Sequence, residues 1–371
     1  MYVKKAASAP GIKAICLNIA HDCNLSCDYC FADKGDYGTG RSLMSLNTAK
    51  RALEFLVENS GTRHNLEVDF FGGEPLMNFD VIRKTVEYKY ELERIYDKKI
   101  NCTITTNGTV MNDEIADFIN AHMDNVVISI DGRKETHDRA RHYPSGKGSY
   151  NTAVKNAKKV LDGRSPDKSH YIRGTFTNRN LDFTEDVMHL SALGFKEISV
   201  EPVIGRGEDF HLSENDIARI MDEYEALALK IKAARDDGGH VNFYHFNSNI
   251  YDGPCLYKRI SACGAGYEYI AVAPGGKIYP CHQFVGEKKF EMGDVESGIT
   301  NRNTVDLFRN SNIFTKEECA NCWAKYYCSG GCHAESYYRH GSIYKQDMLS
   351  CELQKKRIEC AIYLDICREA V

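Results

Sequence analysis

Three cysteines separated by three residues and then two, in Cys23-Asn24-Leu25-Ser26-Cys27-Asp28-Tyr29-Cys30, are the residues whose type and spacing speak most directly of chemistry. Thiolates are the soft ligands that iron-sulfur clusters require, and four of them saturate a four-iron cluster. The local run stops at three, so a cluster held here leaves one iron open to a further ligand. Three cysteines and a histidine also make a zinc site, and His21 is close in sequence, so a small structural zinc knot is the plain alternative.

The chain has fifteen cysteines in 371 residues. In a reducing compartment such a set points to metal rather than to disulfides. Cys16 and Cys102 fall in apolar strand patterns and Cys360 and Cys367 on a terminal helix; these four read as small core residues. The other eight lie in the last third: Cys255, Cys263, Cys281, then Cys319-x2-Cys322-x5-Cys328-x3-Cys332, and Cys351. They can supply two complete four-thiolate sets, and two zinc ribbons satisfy the same count.

These residues need a scaffold. A 43% hydrophobic content supports a large core, and a formal charge of -5 gives no global attraction to nucleic acid. No apolar run approaches the ~20 residues that span a bilayer, and the N-terminal stretch lacks the apolar core of a signal peptide, so a cytoplasmic protein is expected. Residues 12–20 read as a buried strand that feeds into the cysteine loop. Residues 45–59 read as a helix capped by Ser45. A second strand, 66–71, ends in Gly72-Gly73-Glu74-Pro75, where the glycines let backbone come close to a ligand and Glu74 can accept a hydrogen bond from an amine. Strands at 100–105, 126–130, 171–176 and 197–203 then alternate with helices at 113–122, 150–161 and 185–193.

Six strands alternating with helices argue for parallel βα architecture, which puts its chemistry at strand C-termini. Five candidate loops fall there in series: the cysteine loop, residues 72–75, Thr106-Asn107-Gly108, the loop from Ser129 to Gly132 with Asp131, and the loop from Pro202 to Gly205. A charged helix over 213–234 and the turn at Asp236-Asp237-Gly238-Gly239 separate this half from the cysteine-rich tail, where Gly275-Gly276 suits a hairpin turn. The triplet Lys355, Lys356 and Arg357 on the terminal helix reads as a solvated face.

The Cys23/Cys27/Cys30 loop, with Tyr29 before its third cysteine, and Gly72-Gly73-Glu74-Pro75 resemble the radical S-adenosylmethionine (SAM) enzymes. The tail, Cys263-x12-Gly276-x4-Cys281 followed by the Cys319 to Cys332 run and Cys351, is similar to the auxiliary-cluster domain called SPASM. The resemblance covers nearly the whole chain and implies an α/β fold, a partial (β/α)6 barrel of radical SAM type followed by a SPASM domain. The expected division is 1–235 for the barrel, 236–254 for a linker and 255–371 for SPASM. Residues 16–31, 65–80 and 263–286 look most like the maturases of small six-cysteine peptides, which install thioether crosslinks. Those maturases usually begin with a winged-helix peptide-recognition domain, and only about 11 residues precede the first strand here. Either this paralogue lacks that domain or a separate leader-peptide recognition protein supplies it.

The resemblance also implies roles. Cys23, Cys27 and Cys30 hold three irons of a first 4Fe-4S cluster, and SAM chelates the fourth. Glu74 with the Gly72-Gly73 backbone binds the SAM amine, the backbone at Tyr29 meets the adenine edge, Ser129 and Asp131 serve the ribose, and Asn107 and Arg141 are candidates for the methionine end, a surface arginine being the alternative for Arg141. Two auxiliary 4Fe-4S clusters follow: an outer one on Cys319, Cys322, Cys328 and Cys351, and an inner one on Cys263, Cys281 and Cys332. Cys255 either completes the inner cluster or leaves an iron open for a substrate thiol. Implied partners are a cysteine-containing peptide and an electron donor such as a ferredoxin or flavodoxin.

The resulting expectation is a 5'-deoxyadenosyl radical that starts thioether formation in a peptide. Sulfatase-maturing enzymes share the architecture and make formylglycine, but they place an aspartate after the cysteine equivalent to Cys281, where this chain has His282. Carbon-carbon crosslinking and epimerisation are further alternatives, and a zinc-ribbon binding module is the non-enzymatic one.

Overall fold

The computed structural model describes residues 11–204, 208–248 and 259–369. Gly205 and Cys255 lie outside the described residues, and so does part of the expected linker.

Strand β1 (Ala14–His21) is followed by a short β2 (Ser42–Leu43), α1 (Leu46–Glu58), β3 (Asn65–Gly72), α2 (Phe79–Tyr96), β4 (Lys99–Thr106), α3 (Asp113–His122) and β5 (Asn125–Ser129). Next come α4 (Lys134–Ala140), α5 (Tyr150–Asp162), β6 (Ser169–Phe176), α6 (Phe183–Ala192), β7 (Glu197–Pro202), α7 (Ile217–Asp236) and β8 (Asn242–Phe243). The tail holds β9 (Tyr269–Val272), β10 (Lys277–Tyr279), β11 (Gly293–Asp294) and β12 (Gly298–Ile299). It closes with helices α8 (Arg302–Asn310), α9 (Glu317–Ala320), α10 (Lys325–Cys328), α11 (His333–His340) and α12 (Met348–Glu369). Among the described residues no helix is long and apolar enough to cross a membrane.

Local chemistry sets these boundaries. Ser45 caps α1 by accepting the Thr48 N–H at 3.0 Å, and Asn112 caps α3 through the Ile115 N–H at 2.8 Å, each satisfying a donor that the first helical turn leaves open. The helix expected from residue 213 instead begins at Ile217, because Ser213 and Asp216 form a capping box around one 3₁₀ turn. Strand β1 is buried at all eight residues, as a parallel strand covered on both faces must be.

The chain divides into two compact units, each discontinuous. The first comprises Met1–Ile128, His142–His170 and Cys263–Asn310, the second Ser129–Arg141, Tyr171–Ala262 and Ser311–Val371. In the first unit the strand order is β12-β11-β10-β9-β1-β3-β4-β5. Strands β9, β1, β3, β4 and β5 run parallel, whereas β10, β11 and β12 continue antiparallel. The hairpin expected at Gly275-Gly276 is β9–β10, and it extends the N-terminal sheet alongside β1. In the second unit β6, β7 and β8 pair in parallel. Arg357 corrects the expectation of a solvated triplet: it is buried, donates from Nε to the Tyr224 hydroxyl at 2.8 Å and stacks on that ring. Helix α12 packs against α7, so residue 357 faces another helix rather than water. Of the expected core cysteines, Cys16, Cys102 and Cys360 are buried and Cys367 is only half-buried.

Candidate active site

The cysteine loop leaves the C-terminal end of β1, and the first unit pins it from three directions. Gly73 donates its N–H to the Ala20 carbonyl and Glu74 to the Asp22 carbonyl, both at 2.8 Å. A Cβ on Gly72 would lie 2.3 Å from the Ala20 oxygen, and one on Gly73 2.2 Å from the Asp22 oxygen. The close approach that these glycines permit is therefore first of all to the protein's own cysteine loop. From a second side, Asn107 Nδ2 donates to Asn24 Oδ1 at 2.9 Å and lies 3.8 Å from Cys23 Sγ. From the third, Ser26 donates its N–H to the His142 carbonyl at 2.8 Å, while His142 Nε2 lies 3.0 Å from Asp28 Oδ1. The Tyr143 carbonyl and Asp28 both favour the protonated imidazole and raise its pKa.

Glu74 holds this arrangement together. Its carboxylate is fully buried; one oxygen accepts from the Leu76 N–H at 3.0 Å and the Thr106 hydroxyl at 2.7 Å, the other from the Asn107 N–H at 2.7 Å. A buried carboxylate is costly unless donors satisfy its oxygens. The loop after β3 is thereby bolted to the end of β4. Asp22, His142 and Thr109, which bonds the Asn24 and Asn107 side chains, were not apparent from the sequence, because only the folded chain brings them to the cysteine loop.

Cys23, Cys27 and Cys30 are all partly accessible, as is Tyr29, and the Leu25 N–H is 3.4 Å from Cys23 Sγ. His21 is buried, stacks on Tyr37 at 4.5 Å and bonds Thr39 through Nδ1; burial pushes its pKa down to about 4. Phe31, next to Cys30, and Phe71 lie 5.8 and 4.9 Å from the His282 ring, next to Cys281. His282 Nδ1 is 3.0 Å from the Tyr269 hydroxyl. Cys281 is buried and Cys263 exposed, and the Gly266 N–H donates to the Pro280 carbonyl at 2.9 Å, which draws the Cys263 turn toward Cys281. On the same sheet, Cys16 pairs in register with Asp69, and Asp69 with Thr103. Burial and the neighbouring Glu67 push the Asp69 carboxyl up to about 7.

The second unit holds the remaining candidates. Asp131 is buried, accepts the Thr175 N–H at 3.0 Å and faces Arg141 Nη1 at 3.8 Å. Arg141 is only 12% exposed in its side chain, which removes the surface-arginine alternative. Ser129 is half-buried. Cys319, Cys322, Cys328 and Cys351 line one cavity of about 280 Å³. Cys332 is exposed at the start of α11 and lines a neighbouring cavity with Cys328 and Cys351.

The donor sets fit iron-sulfur clusters. In the first unit one loop presents three partly accessible thiols with N–H groups directed at sulfur; in the second, four thiols surround a cavity. Among the described residues no three His, Cys, Asp or Glu side chains are gathered to hold a single metal ion. A zinc site draws its donors to ~2.3 Å from one point, whereas cluster thiolates each take a separate iron.

The fold and these sites define a radical SAM protein with a cluster-binding tail. The family model of the Radical SAM superfamily matches residues 17–191, and that of the iron-sulfur cluster-binding domain SPASM matches residues 263–323; the chain belongs to this family. Iron-sulfur clusters of the 4Fe-4S type and SAM are the cofactors it implies. The chain is 24% identical over 371 residues to the radical SAM cyclopropyl synthase TigE of Paramaledivibacter caminithermalis, covering 95% of this chain and 74% of that one. It is 27% identical over 364 residues to a cysteine-type anaerobic sulfatase-maturating enzyme of Clostridium novyi, covering 91% and 92%. The structure of native anSMEcpe with bound AdoMet and Cp18Cys peptide shares the fold at a TM-score of 0.77 and 18% identity, covering 98% of this chain and all of that one.

Proposed function

We propose that this enzyme is a peptide maturase that joins a cysteine sulfur to a peptide carbon in a ribosomally made substrate. The observation that carries the reading is His282. In sulfatase-maturing enzymes the position after this cysteine holds a carboxylate; here an imidazole stands there, bonded to Tyr269 and walled by Phe31 and Phe71. A neutral imidazole accepts a thiol proton near neutral pH. The likeness to anSMEcpe, whose structure holds both AdoMet and a peptide, supports a peptide as substrate.

On this reading Cys23, Cys27 and Cys30 hold the cluster that binds SAM, with Glu74, Gly72, Gly73 and Tyr29 around the cofactor. Asn107, whose side chain is engaged with Asn24 and Thr109, positions the loop. When bound, SAM and the cluster together supply the 5'-deoxyadenosyl radical that takes a hydrogen atom from the peptide. His282 would take the thiol proton as the carbon-sulfur bond closes, and an auxiliary cluster, when bound, would supply the acceptor for the one electron released, so the peptide loses two hydrogens. Cys319, Cys322, Cys328 and Cys351 hold the outer of two auxiliary clusters, and Cys263 and Cys281 contribute to the inner, for three clusters in all. A ferredoxin or flavodoxin supplies electrons.

Ring closure between carbons is the second reading, favoured by the match to a cyclopropyl synthase across 95% of the chain. Mass spectrometry of a candidate cysteine-containing peptide after anaerobic turnover separates them. A product two hydrogens lighter that no longer reacts with a thiol alkylator supports the thioether. The same mass loss with an alkylatable thiol moves the reaction to carbon-carbon bonding, and an aldehyde in place of the thiol overturns the assignment in favour of formylglycine formation.

A further inference from the structure

Lys316, at the N-terminal edge of α9, is 1% exposed and is among the largest fully buried side chains. Its ammonium donates to the Gly330 carbonyl at 2.8 Å, and no carboxylate pairs with it among the described residues. The ionisable groups that face it are the thiols of Cys319, Cys328, Cys332 and Cys351 and the His333 ring, whose charged form it disfavours. An ammonium taken out of water without a counter-ion is among the costliest groups to bury, and neutral thiols return nothing for it. Thiolates do, and a cluster held by four of them is a net anion.

The surrounding chain is built to the same sign. Ser329, Gly330 and Gly331 have φ of 60°, 90° and 70°. This left-handed run turns the Gly330 and Gly331 N–H groups onto the Cys328 sulfur, forming an anion-binding nest. Gln346 Nε2 lies 3.4 Å from Cys319 Sγ and donates to the same Gly330 carbonyl at 2.8 Å. The cavity that Cys319, Cys322, Cys328 and Cys351 line thus meets one ammonium through a shared carbonyl and several N–H groups aimed at sulfur.

We propose that Lys316 is the fixed counter-charge of the outer cluster, and that it raises the reduction potential of that cluster so that it accepts an electron more readily. The inference rests on the reading that Cys319, Cys322, Cys328 and Cys351 hold this cluster. One-electron reduction adds a negative charge to the cluster, so a nearby positive charge stabilises the reduced form more than the oxidised one. Lys316 acts through the cluster and is a positioning residue in the electrostatic sense. On the proposed reading, the effect makes the outer cluster the acceptor of the electron released when the carbon-sulfur bond closes.

The test is a redox titration followed by electron paramagnetic resonance on the reconstituted full chain, without SAM or peptide. Cys23, Cys27 and Cys30 are replaced by alanine so that only auxiliary clusters report. Lys316→Met is expected to keep its iron and sulfide and to move one reduction wave by at least tenfold in the one-electron equilibrium, about 59 mV to more negative potential. Lys316→Arg, which keeps the charge, is expected to leave that wave in place. An iron-replete Lys316→Met with every wave unchanged overturns the proposal. If Lys316→Met instead loses one cluster's worth of iron and sulfide, restored loading in Lys316→Arg supports the counter-charge, and failure of the arginine as well overturns it in favour of a packing role. A parent protein that holds no auxiliary cluster overturns the cluster assignment itself. Because no peptide is present, none of these outcomes bears on which bond the enzyme makes.

Discussion

Two residues of the first unit carry sharp consequences. Asp69 is held protonated to about pH 7 by burial and by Glu67, whereas an unfolded aspartate ionises near pH 3.9. The native state therefore binds more protons than the unfolded state between these values, and stability falls as pH rises through that window. Asp69→Asn is expected to stabilise the protein at pH 8 by a few kcal/mol, since each pH unit of that window is worth about 1.4 kcal/mol. The advantage should vanish toward pH 4, as chemical denaturation at both pH values will show. Gly73→Ala acts on geometry: its methyl would sit 2.2 Å from the Asp22 oxygen, and relief requires the cysteine loop to move. A loss of ~2 kcal/mol or more is expected, with poor iron retention at the first cluster site and unchanged circular dichroism.

At the scale of elements, the site depends on loops locked to one another rather than on any one strand. Glu74→Gln keeps the shape but leaves fewer and weaker acceptors for Thr106, Leu76 and the Asn107 N–H. We expect a cost of about 1–3 kcal/mol and a lower thermal midpoint before any change in secondary structure. Arg357→Met leaves the Tyr224 hydroxyl without its 2.8 Å donor between α12 and α7. The expected cost is again about 1–3 kcal/mol, measurable by urea denaturation. The sequence alone made the strands, the Ser45 cap and the Gly275-Gly276 hairpin readable, because each is written in neighbouring residues. Arg357 misread because a basic triplet on a helix has the same pattern whether its far side meets water or another helix. The partners of Glu74 were unreadable because β3 and β4 bring residues 74, 106 and 107 together by register.

For the molecule as a whole, the cysteine spacings were legible because ligand spacing is a covalent constraint that sequence displays directly. The interleaving of the two units was not, since β9 adds to the edge of β1 across some 250 residues of chain. The tail that begins at Cys263 thus contributes strands to the N-terminal unit, and its later cysteines belong to the other. The proposed reaction depends on radical generation at Cys23, Cys27 and Cys30. The most direct measurement is reductant-dependent formation of 5'-deoxyadenosine from SAM by the anaerobically reconstituted chain, compared with Cys27→Ala. Steady formation by the parent protein and its loss in a folded variant is the result predicted. Equal formation by the variant, or none by an iron-replete parent, would contradict it.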